Sequence, residues 1–544
     1  MKRNIKYIML GLVAALGTQG LQSCNKALDI NTNPNSPTYS TPELVLPQAM
    51  VATAQQVPGF NTYGARFVGY YATSGGVSGW GDILTYDYAT SAFGGLWSGV
   101  YNTLTDLDYV VKNTAGNAGY QDLNQAAVVL MAYNYANLVD TYNDIPYSEA
   151  LQGAAFLTPK YDKASDIYVD LAKKLDGAVA YFKANGPSDV FKKSDIIFKG
   201  DNTSWAKFAN TLKLRLVLRA GTKAAFTNKT IDPIGVITDD VIVQPMFTKI
   251  AGKQNPMWNT WAYGADGAAV GTWGTQFIPT PFIMAFFDGS KLNDEARANL
   301  FFANGISTNV NQLGNTNNPP VGISPSAWVM KPASGTISAT NYRGYGVIKG
   351  PSAGQPLMLG AEGNFLGAEA VVEGLLSGDA KTFFENGIKA SFTYLNKNES
   401  DVVSNGANAS TYFANYFAAN SKSYLVNFLT ATEIVNGKEV ERSTTKDEKL
   451  EAIITQKYIA LNFLFGHEAY NEYRRIGYPK IVGGNVIGNG KFNFISTESR
   501  STAPDKNLAR LPYPASEFSY NGANIPTVNK YTDKLFWAKV IDQK

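Results

Sequence analysis

Apolar residues recur every three or four positions in several stretches of this chain, and each such stretch predicts an amphipathic helix. Ile167, Leu171, Leu175, Ala178 and Phe182 share one face near 164–182, with Lys173, Lys174 and Asp176 off it. Asn202, Thr203 and Ser204 supply N-cap chemistry for a helix carrying Trp205, Phe208, Leu212 and Leu216. Lys207, Lys213, Arg215 and Arg219 fall on its other, polar face. Phe384, Ile388, Phe392 and Leu395 form a further stripe, as do Leu450, Ile454, Leu461 and Leu464. Helices are also predicted near 44–56, 96–113, 121–140 and 360–374. Between about 221 and 355 the stripes fade, and Gly, Pro, Asn, Thr and Trp dominate. Residues 256–281 hold three Trp among many Gly. Loops this long are uncommon unless they carry function. The expected fold is mostly α. Helical hairpins of tetratricopeptide-like type form a scaffold, without a clean 34-residue period. A large irregular loop-rich region carries the ligand face.

The start of the chain has a different pattern. Lys2, Arg3 and Lys6 precede a short apolar run, Ile8 to Leu16, too short for the ~20 residues of a membrane-spanning helix. Leu21-Gln22-Ser23-Cys24 follows, and a small residue before the only cysteine of 544 residues resembles a bacterial lipobox. Residues 1–23 are expected to be a signal peptide, with Cys24 acylated, palmitate among its acyl chains, as the new N-terminus. The alternative is a plain secretory peptide with a chance cysteine. Residues 24–43, rich in Pro, Asn, Ser and Thr, read as a flexible linker to a body spanning 44–544 with its loop-rich insert at about 221–355. Burying acyl chains contributes ~0.8 kcal/mol per CH₂, so several chains make a lasting anchor.

Charge adds one restriction. Residues 1–23 contain three of the 47 Lys and Arg and none of the 44 Asp and Glu, so the mature chain is neutral. It has no bulk electrostatic attraction for nucleic acid. Tyr (31), Phe (29) and Trp (8) are abundant and charged residues make up only 17%. That balance suits a surface meeting neutral polar ligands, although most of the Phe should simply fill a large core.

Little in the sequence supports chemistry. With one His, His467, and a lipidated sole Cys, a His/Cys zinc site and a Cys-His nucleophile pair are excluded. A Ser-His-Asp triad would need His467, which has no local motif around it. Asp29, Asn31 and Asn33 open like a calcium loop, but Pro34 and Ser40 stand where Gly and Glu are needed. GNVIGNGKF at 484–492 fails as a phosphate loop at Asn485 and Phe492. GYGVIKG at 344–350 has the wrong glycine spacing. No cofactor or metal is expected. A carboxylate pair drawn from the acidic residues is the remaining route to an enzyme, a surface glycoside hydrolase.

Seven blocks, in order, carry a family resemblance: LDINTNPN (28–35), DTYNDIPYSEA (140–150), PKYDKASDIYVDLAKKLDGA (159–178), GDNTSWAKFANTLKLRLVLRA (200–220), QPLMLGAEGNFLGAEAVVEG (355–374), YIALNFLFGHEAYNEYRRIGYP (458–479) and LARLPYPASEF (508–518). Together they resemble the SusD/RagB family of outer-membrane nutrient-binding lipoproteins, in its SusD-like branch. The resemblance implies a helical fold and a lipid-anchored position at the outer membrane, exposed at the cell surface. It implies as partner a TonB-dependent outer-membrane transporter (SusC-like), to which captured oligosaccharide is delivered without chemistry. A peptide ligand is the alternative within the family. Family members place the ligand face in loops before the helix near 96 and in the central region. Here that gives Trp80, Asp82, Tyr86 and Tyr88, with Trp258, Trp261, Tyr263, Trp273 and Trp328. Trp80 and Trp261 are the two leading candidates, because each sits in a Gly- or Asn-bearing loop. Trp205 reads as core, and Glu468, Glu472, Arg474 and Arg475 as structural ion pairs.

Overall fold

The computed structural model describes residues 40–403 and 406–542, with the side chains of Thr272 and Trp273 outside that description. The signal peptide, Cys24, most of the linker and the Asp29–Asn33 motif lie outside the described residues. Ten helices of eleven residues or more carry the fold among the described residues: α1 (Pro42–Phe67), α2 (Gly94–Thr114), α3 (Gln121–Tyr142), α4 (Ala164–Ala184), α5 (Asn202–Ala220), α6 (Gly360–Val372), α7 (Ala380–Asn396), α8 (Ala409–Ala419), α9 (Lys446–Ala460) and α10 (Gly466–Ile476). The fold is mostly α. Consecutive helices pack as pairs, α2 on α3, α4 on α5 and α6 on α7, while α1 lies against both α2 and α10. No helix among the described residues is long and apolar enough to cross a membrane.

The predicted stripes become buried faces. Ile167, Leu171, Leu175, Ala178 and Phe182 of α4 are in the core, as is Trp205 of α5. The N-cap of α5 is Asp201, one residue before the predicted trio, and its carboxylate accepts from the Thr203 amide at 3.0 Å. Two expectations need correction. The helix predicted over 44–56 runs on through Pro58 to Phe67, and its last ten residues are buried except Gly59. Burial on all sides holds a helix that local propensity would end. The supposedly polar face of α5 is also interior, for Lys213, Arg215 and Arg219 are buried.

Those charges belong to one buried network. Arg219 pairs with Asp140 of α3 and Glu468 of α10. Arg215 lies 2.9 Å from Glu362 of α6. Lys457 of α9 reaches Glu472 at 2.8 Å, and Arg475 bridges Glu472 and Glu369 at 2.5 and 2.6 Å. Burial raises the Glu468 carboxyl, but Arg215 and Arg219 outweigh it and hold the group well below the usual carboxylate range. Glu472, opposed in the same way by burial, is held at about 2 by Arg475, Lys457 and Arg219. For Asp140, burial wins over Arg219 and the carboxyl sits above its ordinary value. The network thus ties five of the ten helices, α3, α5, α6, α9 and α10, into one body.

The insert at 221–355 is stitched to that body by short antiparallel ladders. β1 (Tyr71–Thr73) pairs with β5 (Phe277–Pro279), and β4 (Val241–Val243) with β6 (Gln355–Met358). Two further ladders, β2 (Ile145–Pro146) with β3 (Tyr161–Asp162) and β7 (Thr430–Val435) with β8 (Lys438–Ser443), complete the sheet content of the described residues. Close backbone contact sets the position of α1. A Cβ on Gly64 would stand 2.2 Å from the His467 amide nitrogen, and one on Gly466 would stand 2.4 Å from that of Ala65. The two helices cross where both lack side chains, so His467 marks a crossing point.

Candidate functional site

From Gln55 to Arg66, one face of α1 lines a cavity of about 530 Å³. Gln55, Gly59, Thr62 and Arg66 recur at helical spacing along its wall. Asp82, Ile83, Tyr88, Ala92 and Phe93 close a second side, and Thr260, from the short helix Pro256–Trp261, closes a third. The 82–93 segment holds two bulky residues in the left-handed backbone region, Tyr86 (φ 58°) and Phe93 (φ 56°). That conformation costs on the order of 1–3 kcal/mol per residue and persists where packing over-determines it, often at ligand clamps. Packing does so here. The Tyr86 ring lies 5.1 Å from Phe67 and its hydroxyl accepts from the Ser496 amide at 3.1 Å. The Phe93 ring lies 5.6 Å from Tyr63 and 5.5 Å from Tyr88.

Arg66 sits at the inner end of this cavity, 2% exposed. It donates through Nη1 to the Tyr88 hydroxyl at 2.7 Å and through Nε to the Tyr71 hydroxyl at 3.2 Å. Its guanidinium carbon lies 5.2–5.9 Å from the ring centres of Phe93, Tyr71 and Tyr88. The Tyr71 hydroxyl in turn donates to the Thr62 carbonyl at 2.6 Å, which turns its oxygen lone pairs toward Arg66. Aromatic walls, a cation and the side chains of Gln55, Thr62, Thr260 and Asp82 together suit a polar ligand with apolar faces.

The sequence-derived candidates divide sharply here. Asp82 and Tyr88 line the cavity. Trp80 is half-buried, 5.4 Å from the Phe277 ring, which itself lies 4.7 Å from Tyr71. Five others are not among the cavity's lining residues. Tyr86, Trp258, Trp261 and Trp328 have no exposed surface and Tyr263 is buried. Trp328 stacks on Phe463 at 3.7 Å, Trp261 meets Phe463 edge-on at 4.7 Å, and Trp258 packs 4.5 Å from Tyr342. These five, expected at the ligand face, are interior residues of the hydrophobic core. The side chain of Trp273 lies outside the described residues. The sequence reading passed over Gln55, Thr62, Arg66, Phe93 and Thr260. The 55–59–62–66 spacing was the available signal, hidden once the helix was ended before Pro58.

A second cavity of about 570 Å³ lies between the helix Glu295–Phe301 and α8, lined by Asn293, Glu295, Asn408, Thr411, Tyr412 and Asn415 among others. It contains none of the sequence-derived candidates. Among the described residues, no group of three or more His, Cys, Asp or Glu side chains is placed to hold a metal ion.

Comparison with known proteins bears on the family and the fold. Residues 34–497 match the family model SusD-like, described as starch-binding associating with outer membrane. No curated protein sequence matches the chain. Among solved structures, a SusD homolog from Bacteroides uniformis is 22% identical, with a TM-score of 0.62 over 91% of this chain and 99% of its own. A SusD-like protein from Bacteroides thetaiotaomicron is 21% identical, with a TM-score of 0.63 over 90% and 98%. A chitin-binding SusD homolog from Flavobacterium johnsoniae is likewise 21% identical, with a TM-score of 0.61 over 90% and 98%.

Proposed function

We propose that this chain, which belongs to the SusD-like family of starch-binding, outer-membrane-associated proteins, captures oligosaccharide in the Arg66 cavity and passes it to a TonB-dependent outer-membrane transporter. The observation that carries this reading is the cavity's composition. Phe93 and Tyr88 supply flat apolar walls for the C–H faces of a sugar ring. Gln55, Thr62, Thr260 and Asp82 supply donors and acceptors for its hydroxyls. The chitin-binding property of the Flavobacterium johnsoniae homolog supports a glycan over a peptide as ligand. A lipid anchor at Cys24 would hold the protein at the membrane, and the Cys24→Ala full chain is expected to leave the membrane fraction. A Cys24→Ala protein that stays with membranes after a high-salt wash contradicts the anchor.

Binding without chemistry is tested by titrating the protein against a glycan panel while assaying for new reducing ends. At least one oligosaccharide should bind. Phe93→Ala should weaken it by roughly 2 kcal/mol or more if the ring is a central platform, and no reducing ends should appear. Glycan cleavage would turn the reading to a hydrolase with a carboxylate pair. Tight binding of peptides alone would turn it to the peptide-capturing alternative.

A further inference from the structure

Of the seven arginines buried among the described residues, Arg66, Arg474 and Arg510 have no carboxylate partner, and of these three Arg66 lines the cavity beside α1. Arg215, Arg219, Arg297 and Arg475 each pair with at least one carboxylate. Arg474 donates to the backbone carbonyls of Asp140 and Ala509, and Arg510 to that of Tyr142. Arg66 has two phenol oxygens as its acceptors. Among the described residues, no carboxylate forms an ion pair with it, and its Nη2 is buried without a hydrogen-bond partner. A buried charge is costly unless paired, and an unmatched donor in a native interior calls for an explanation. Three aromatic rings near the guanidinium offset part of this cost. They do not supply a counter-charge.

Resting on the glycan-binding reading above, we propose that the cavity selects acidic oligosaccharides, with the carboxylate of a uronic-acid residue pairing with Arg66 and the neutral part of the sugar lying against Phe93 and Tyr88. A guanidinium offers a planar fork that a carboxylate matches with two parallel hydrogen bonds. The phenols occupy Nη1 and Nε, and Nη2 is covered, so the Tyr88 side chain has to shift for a carboxylate to reach the fork. Asp82, exposed at the rim, repels a second negative charge there. The preferred ligand therefore carries its carboxylate at depth and neutral sugars at the mouth. A peptide C-terminus offers the same anion, but the hydroxyl and amide groups spread along the wall favour sugar.

The test uses matched pairs. Acidic oligosaccharides from glucuronoxylan, pectin, alginate and glycosaminoglycan are titrated beside the same chains with their carboxyl groups reduced to alcohols. At least one acidic member should bind ten-fold or more tighter than its reduced twin. D-glucuronate or D-galacturonate should raise the melting temperature where glucose and galactose do not. Arg66→Met should abolish both differences while leaving the protein as stable as the parent or more so, because an uncompensated buried charge is removed. Arg66→Lys keeps the charge but not the fork, and should retain a reduced preference. If Arg66→Met does not fold, the matched pairs on the parent protein and on Arg66→Lys decide the question. Equal affinity for reduced and acidic twins overturns acid selection while leaving glycan capture intact. Absence of binding to any glycan, neutral or acidic, overturns both. Arg66-dependent binding of peptides with free C-termini, but of no uronate, also overturns the proposal.

Discussion

Arg219→Met should cost about 3–5 kcal/mol of stability, because it strips the cation from between two buried carboxylates. Asp140 and Glu468 both pair with this guanidinium. Neither can turn to water, since both side chains are buried. The loss should depend on pH in a defined direction. Glu468 and Glu472 titrate below their ordinary range in the folded protein, so their contribution is fully present above pH ~4.5 and disappears as pH falls below that. Asp140 runs the other way: its folded-state value is raised, so its term favours the fold at low pH and is lost as pH rises. In the variant, the carboxylates left without Arg219 become neutral as the solution is acidified. The gap in melting temperature between parent and Arg219→Met should therefore be widest near pH 7 and narrow steadily toward pH 4. A gap that is small at pH 7, or that widens on acidification, would show that the network is not what ties these helices.

The second large effect concerns tryptophan. Trp261→Ala should destabilise the protein by about 3–5 kcal/mol, the usual cost of deleting a fully buried large aromatic side chain. The ring contacts Phe463 at 4.7 Å, Trp328 at 6.0 Å and Tyr71 at 6.1 Å, and has no exposed surface. Trp80→Ala should be much milder, because that ring is only partly covered. Melting temperature and glycan affinity measured on the same two variants separate the roles. A Trp261→Ala protein with unchanged stability and lost affinity would return this residue to the ligand face.

Periodic stripes made most of the helical body legible in the sequence, and the order of blocks along the chain gave the family. Three features were not legible, each for a physical reason. Pro58 reads locally as a helix stop, and only the packing of residues 60–67 against α10 and the core carries α1 past it. Arg215 and Arg219 read as solvent-facing because a charge on a helix usually is. Their partners lie on helices far away in sequence, at Asp140, Glu362 and Glu468, so no local window contains the pairs. The central tryptophans are expected at a ligand face because the resemblance places it in the loop-rich region, where glycine is frequent. Here glycine marks close backbone packing instead. A Cβ on Gly274 would stand 1.8 Å from the Pro325 carbonyl oxygen, and one on Gly322 would stand 1.5 Å from that of Thr275. Asp82 and Tyr88 are candidates in the sequence only through the family resemblance, which puts a ligand face before the helix near 96, and both line the cavity. Arg66 was missed because its helix was ended too early.

The central claim is that ligand enters beside Arg66, and hydrogen–deuterium exchange with and without a saturating oligosaccharide from the glycan panel tests it most directly. Protection is expected in peptides covering 55–66, 82–93 and 256–261, with residues 293–296 and 408–419 unchanged. Protection confined to 293–296 and 408–419 would place the ligand in the second cavity and contradict the account.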